Sequence, residues 1–125
     1  MHELNQKSAT ELAELIKSKE VSSKEVVETH LKRIEEVNPE INAITVTLEE
    51  SATELAKKAD NASDDERNRP FHGVPITIKE NIDFVGTPTT NGLPFLAESM
   101  PPKNTPLVDR MLGAGAIPIG RTNYQ

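Results

Sequence analysis

Residues 72–81 read HGVPITIKEN, and residues 113–123 read GAGAIPIGRTN. In the first stretch apolar and polar residues alternate from Ile76 to Lys79, a period of two that predicts a β-strand. The second contains the apolar run 116–120, which predicts another strand. Between them, Thr105-Pro106 places a hydroxyl N-cap before a proline at the first helical position. A strand, a helix and a second strand in this order predict an α/β crossover.

Polar residues follow both predicted strands. Lys79 ends the first strand, and Arg121-Thr122-Asn123 is predicted to form a polar turn after the second. Ligand sites in α/β sheets gather at the carboxyl ends of the strands, where Lys79 and Thr122-Asn123 could both lie. Taken alone, Lys79 has two interpretations, a solvated surface lysine or a desolvated lysine that serves as a base.

The preceding residues have a different composition. Residues 1–69 carry 10 Lys and Arg against 16 Asp and Glu with no glycine, whereas residues 70–125 hold all 6 glycines and 8 of the 9 prolines. Capping-box patterns at Ser8 and Ser22 and apolar residues at helical spacing predict helices in the first part. We expect the second helix to end at Asn38-Pro39, a strand within 41–46, a third helix from 47–50 onward, and a solvated loop over 61–69.

Neither part has enough apolar residues for a core of its own, so the change near Pro70 does not predict a domain boundary. We predict one α/β domain over 1–125, with a helical segment 1–69 packed on the first strands of a mixed sheet formed within a strand-loop-helix-strand segment 70–125. The apolar stripes of the helices are therefore interpreted as core, and their charged faces as solvated surface.

Composition excludes several functional classes. A formal net charge of −6 argues against nucleic-acid binding. No apolar stretch approaches the length of a transmembrane helix, and residues 1–20 have no apolar signal-peptide core. The chain has no cysteine, and no histidines and carboxylates have metal-ligand spacing. We expect a cytoplasmic protein with no metal and no cofactor.

Several motifs together resemble the amidase signature family. They include GVPITIKEN at 73–81, Thr89-Thr90, Gly115-Ala116 and GRTN at 120–123, preceded by a helical segment that also fits. The resemblance spans nearly all 125 residues, and their joint order and spacing are highly specific. The TPTTNGLP loop at 87–94 is closer to the indoleacetamide-hydrolase and general amidase branch than to the glutaminase component of tRNA-dependent amidotransferases. The resemblance implies that residues 1–125 are the N-terminal portion of an amidase-signature domain, which is incomplete here.

The resemblance also implies a mechanism. The family hydrolyses small-molecule carboxylic amides through an acyl-enzyme, with a Ser–cis-Ser–Lys triad. Lys79 matches the catalytic lysine, which accepts the proton of the nucleophilic serine through the bridging serine. That role implies a neutral amine, hence burial and no close carboxylate. Glu80 stands where the family more often has aspartate, and Asn104 stands where aspartate is common.

Both catalytic serines and the oxyanion-hole amides belong to a glycine- and serine-rich segment that follows the GRTN motif in the family. No Gly-Ser-Ser cluster occurs in these 125 residues. We therefore expect the chain to be inactive alone. Three interpretations remain: part of an amidase, a shortened paralogue acting as a non-catalytic binding or regulatory subunit, or an interaction module whose motifs reflect packing alone. We favour the first, and expect the apolar stripes to be covered by the C-terminal part or by self-association.

Overall fold

The computed structural model describes residues 1–123. A 3₁₀ turn at Glu3–Gln6 comes before the first helix, and another at Pro94–Leu96 lies within the long connection to the last helix. The α-helices are α1 (Ala9–Lys17), α2 (Ser23–Ile41), α3 (Glu49–Asp60), α4 (Asp64–Arg67) and α5 (Pro106–Gly113). The strands are β1 (Ile44–Thr47), β2 (Pro75–Lys79) and β3 (Ile117–Thr122).

The three strands form one mixed sheet in the order β1-β3-β2. The central strand β3 runs parallel to β2 and antiparallel to β1. The α5 helix lies in the connection between the two parallel strands. This confirms the predicted α/β class, with helices on a mixed sheet.

The central strand extends further than the sequence predicts. The sequence predicts a polar turn at Arg121 and Thr122, but both belong to β3. Thr122 pairs with Ile44 on one side and with Lys79 on the other. Hydrogen-bonded neighbours on both sides keep these polar residues extended, so the prediction of a turn is wrong for them.

Local capping starts α1, α2 and α5 as predicted. The Ser8 hydroxyl accepts from the Glu11 backbone and the Glu11 carboxylate accepts from the Ser8 backbone, a complete capping box. Thr105 caps α5, with Pro106 at its first position. The end of α2 differs from the prediction, because the helix continues through Pro39 to Ile41.

Asn38 and Asn42 explain the longer α2. The Asn38 side chain donates to the carbonyl of Ile44 and accepts from its amide, both at 2.8 Å, which ties the last turn of the helix to β1. The helix stops where Asn42 adopts a left-handed conformation with φ 50°. Pro39 removes only one backbone donor near the helix end, and this is too little to end α2 at Asn38.

The segment 61–69 is not wholly a solvated loop. Ser63 caps the single turn α4, whose last residue Arg67 is only 6% exposed. The Arg67 guanidinium donates to the carbonyl oxygens of Ile16, at 2.6 Å, and Ala59, at 3.3 Å. The charge run indicated a solvated surface, but these carbonyl acceptors allow the arginine to be buried.

Two apolar clusters form the core, and each combines residues from 1–69 with residues from 70–125. One packs α2 and α3 on β3 and consists of Val27, Ala52, Ala56, Ala59, Ile117 and Ile119. The other joins the first 3₁₀ turn, α1 and α2 to the residue before β2, and consists of Leu4, Leu12, Ile16, Val26 and Val74. The helical stripes are thus buried against the strands, as their interpretation as core requires.

Candidate active site

The carboxyl ends of β2 and β3 lie side by side. Lys79 is in register with Thr122, and the backbone amide of Glu80 donates to the Thr122 carbonyl at 2.9 Å. The structure therefore brings together Lys79 and Thr122, as parallel pairing predicts. Asn123 lies beside the start of β1, where its amide donates to the carbonyl of Ala43 at 3.0 Å.

Lys79 and Glu80 differ in burial although they are neighbours in sequence. The side chain of Lys79 is exposed, whereas Glu80 is 4% exposed. Ile78 is buried and Thr77 exposed, which continues the alternation along β2. The burial of Lys79 that the catalytic role implies is not found among residues 1–123.

Arg121 is the residue of this region that sequence reasoning missed. It is fully buried, and its guanidinium lies against the chain that leaves β2. Its Nε donates to the Ile78 carbonyl at 3.2 Å, its Nη2 to the carbonyls of Lys79 and Ile82 at 3.1 and 2.6 Å, and its Nη1 to the Thr87 hydroxyl. The signal in the sequence was the GRTN motif itself, but a lone arginine after an apolar strand is more typical of a surface turn.

Two carboxylates compensate the buried charge of Arg121. Burial lowers the pKa of the Arg121 guanidinium from its usual high value, and the charges of Glu80 and then Asp83 act in the opposite direction. A guanidinium remains protonated in proteins, so a cation surrounded by hydrogen-bond acceptors lies beneath the end of β2.

The loop after β2 is also fastened to the start of α5. The Asn104 side chain accepts from the Val85 amide at 2.7 Å and donates to the Asp109 carboxylate at 3.0 Å. The Thr105 amide donates to the carbonyl of Asp83 at 3.1 Å. An aspartate in place of Asn104 could accept but not donate, so the asparagine suits a position between a backbone amide and a carboxylate.

An open groove of about 430 Å³ lies between β2 and α5. Its lining is mostly apolar and includes Ile76, Ile82, Leu107 and Met111, with Lys79 and Thr122 at the strand ends. The arrangement puts an amine beside an apolar surface at the carboxyl edge of the sheet.

Two further findings concern residues 1–123 only. Among them, no group of three or more His, Cys, Asp or Glu side chains is placed to hold a metal ion. No helix within this range is long and apolar enough to cross a membrane.

The model of the family described as Amidase matches residues 25–125. The chain belongs to the amidase family. Its sequence is 43% identical over 121 residues to indoleacetamide hydrolase of Bradyrhizobium diazoefficiens, covering 93% of this chain and 22% of that protein. It is 38% identical over 117 residues to an acylamidase of Rhodococcus erythropolis, covering 93% of this chain and 24% of that protein.

Solved amidase-family structures share this fold. The native peptide amidase of Stenotrophomonas maltophilia superposes with a TM-score of 0.83 at 28% identity, over 93% of this chain and 24% of that one. A 6-aminohexanoate cyclic dimer hydrolase gives a TM-score of 0.81 at 33% identity, over 98% of this chain and 24% of that one. The chain thus spans about a quarter of the length of these relatives. It corresponds to the N-terminal portion of the proteins of the amidase family.

Proposed function

We propose that these residues form the lysine-bearing portion of an amidase that hydrolyses small-molecule carboxylic amides through a Ser–cis-Ser–Lys triad. In this proposal Lys79 accepts the proton of the nucleophilic serine through the bridging serine. The acyl-enzyme is then hydrolysed, and the amide nitrogen leaves as ammonia or an amine. The chain functions as one domain over 1–125 joined to the residues that carry the serines, in the cytoplasm.

The observation that carries the proposal is the position of Lys79. It ends β2 in register with Thr122, at the carboxyl edge of parallel strands where α/β proteins place their ligands. The mostly apolar groove beside it offers a surface for the hydrocarbon part of an amide, and the lysine lies at its polar end.

The exposure of Lys79 fits an incomplete site. A lysine acts as a base only as the neutral amine, and desolvation favours that form. The triad serines and the donors for the oxyanion would have to approach the same strand end, where they would cover the amine. The proposal therefore requires residues beyond those described to pack over Lys79.

The test uses the complete gene product that contains these 125 residues. Ammonia release is measured from indoleacetamide, benzamide and glutamine, for the unmodified protein and for Lys79→Ala. Loss of a general base typically reduces kcat by about 10²–10⁴-fold. We expect the loss here to be at the upper end of this range or above it, because the members of a triad act as a unit. Lys103→Ala is the matched control, since Lys103 is another exposed lysine but lies outside β2 and β3.

The circular dichroism spectrum and melting temperature of Lys79→Ala should match those of the unmodified protein, because Lys79 belongs to neither core cluster. Near-normal turnover by a folded Lys79→Ala protein would refute the assignment. An equal loss in Lys103→Ala would show that the effect is not specific to the strand end.

A further inference from the structure

The buried guanidinium of Arg121 connects β3 to the chain that leaves β2. Its guanidinium donates to four acceptors that all lie within residues 78–87. They are the carbonyls of Ile78, Lys79 and Ile82 and the hydroxyl of Thr87. The Thr87 hydroxyl in turn donates to the carbonyl of Phe84 at 2.7 Å. The end of β2 and the loop after it are therefore wrapped around one side chain.

The shape of the guanidinium makes this attachment rigid. Its five donors lie in one plane with fixed directions, so four simultaneous hydrogen bonds fix the relative positions of the acceptors. A lysine ammonium at this position has three donors on a flexible stem and cannot reproduce the same set. The acceptors would then need other donors in a buried region.

We propose that Arg121 is a positioning residue for Lys79. Its guanidinium binds the carbonyl of Lys79, and the next residue, Thr122, pairs with Lys79 across the sheet. Together these contacts fix the backbone of Lys79, so that its amine points to a fixed position above the sheet edge. The inference rests on the proposed function of Lys79. Arg121 acts through the backbone, and its own buried charge takes no part in proton transfer.

Misplacement of a catalytic group by about 1 Å can reduce turnover about 10²-fold. Arg121→Lys in the complete gene product should therefore lower kcat by about ten- to hundredfold. KM should change by less than about threefold, because the apolar groove is lined by other residues. Kinetics are measured at a temperature at which circular dichroism shows every variant to be folded.

Arg67→Lys is the matched control. Arg67 is also buried and donates to two backbone carbonyls, but these belong to α1 and α3 rather than to the strand ends. Its replacement should lower the melting temperature and leave kcat unchanged. Equal kcat losses in the two arginine variants, or an unchanged kcat in Arg121→Lys, would overturn the positioning role.

Thr87 provides a second variant that disturbs the same network without removing the charge. Thr87→Val removes the hydroxyl that accepts from Arg121 and donates to Phe84, and should lower kcat about three- to tenfold. Thr87→Ser keeps the hydroxyl and should retain more of the activity. If Arg121→Lys does not fold, equal kcat values for Thr87→Val and Thr87→Ser overturn the inference.

The Lys79→Ala protein separates the two proposals. If Lys79→Ala has lost amidase activity while Arg121→Lys and Thr87→Val are fully active, only the positioning role is refuted. An active Lys79→Ala, or an unmodified product without amidase activity, refutes the proposed function and the positioning role with it.

Discussion

The hydroxyl of Ser23 donates a hydrogen bond to the carbonyl oxygen of Gly73, 2.7 Å away and 50 residues later in the chain. Ser23 is the first residue of α2, and Gly73 lies two residues before β2. Both are buried. This contact joins the helical segment to the strand that carries Lys79, and the two backbones approach closely because Gly73 has no side chain.

Gly73→Ala should destabilise the protein. Gly73 has φ +77°, and a Cβ there would lie 2.8 Å from both Cβ and Oγ of Ser23. Backbone strain and overpacking together should lower the free energy of unfolding by about 2–4 kcal/mol. Urea denaturation followed by circular dichroism measures the change.

Gly113→Ala is the control for Gly73→Ala. Gly113 is in α5, and nothing lies within 4 Å of the Cβ it would gain. Alanine is the better helix former, so this variant should be neutral or more stable by up to about 1 kcal/mol. A Gly73→Ala protein as stable as Gly113→Ala would contradict the close approach.

Stability should also decrease at mildly acidic pH because of His72. Its Nδ1 lies 3.1 Å from the Arg69 guanidinium, which can only donate, and its Nε2 lies 2.8 Å from the Ala59 carbonyl, which can only accept. The neutral ring satisfies both contacts, whereas a protonated ring would place two donors against each other. Burial lowers the pKa of His72 below its usual value, and the charges of Arg69 and Arg67 lower it further. The Ala59 hydrogen bond and the charge of Glu66 raise the pKa, but the net shift is downward.

Because the pKa is lower in the folded state, the unfolded chain binds the proton first as the pH falls. The stability contributed by neutral His72 is therefore complete above about pH 6.5, the pKa of an unperturbed histidine, and is lost as the pH falls from there through the folded-state pKa. Urea midpoints between pH 8 and pH 5 measure the loss. His72→Gln cannot be protonated and should show a smaller slope over this range; equal slopes would refute the assignment.

The 125-residue polypeptide expressed without further residues should hydrolyse no amide at a measurable rate. It contains no Gly-Ser-Ser cluster. An amide is a poor electrophile for a lysine amine without oxyanion donors, and such donors contribute much of the rate in acyl transfer. Ammonia release that saturates with substrate, survives further purification and disappears in Lys79→Ala would contradict this prediction.

The same polypeptide should self-associate. Leu107 in the groove is 56% exposed, and β2 is an edge strand of the sheet that residues 1–123 form. An apolar groove beside an unpaired strand edge favours association. Leu107→Lys should shift sedimentation velocity profiles toward monomer.

Leu55→Lys serves as the control for Leu107→Lys. Leu55 is 37% exposed on α3 and does not line the groove, so its replacement should leave the association unchanged. A sharp monomer peak from the unmodified chain, with a cooperative thermal transition, would contradict the prediction.

Local patterns in the sequence predicted the features that depend on neighbouring residues. The starts of α1 and α5 follow from Ser8 and Thr105, because each cap bonds to a backbone amide three residues away. The strand at Ile76–Lys79 follows from alternation, since successive side chains of a strand point to opposite faces. The end of α2 was missed because its last turn is held by Asn38 bonded to Ile44 in β1.

The sequence by itself therefore determined the starts of α1, α2 and α5, the order of β2, α5 and β3, and the position of Lys79 at a strand end. Only the tertiary structure decided that Arg121 is buried and fastened to carbonyls about 40 residues earlier in the chain, and that Arg67 is buried beneath α1. Hydrogen-bond acceptors supplied by the fold offset the cost of burying an arginine. All of those acceptors except the Thr87 hydroxyl are backbone carbonyls. Their positions depend on how distant segments pack, and no residue pattern around the arginine encodes them.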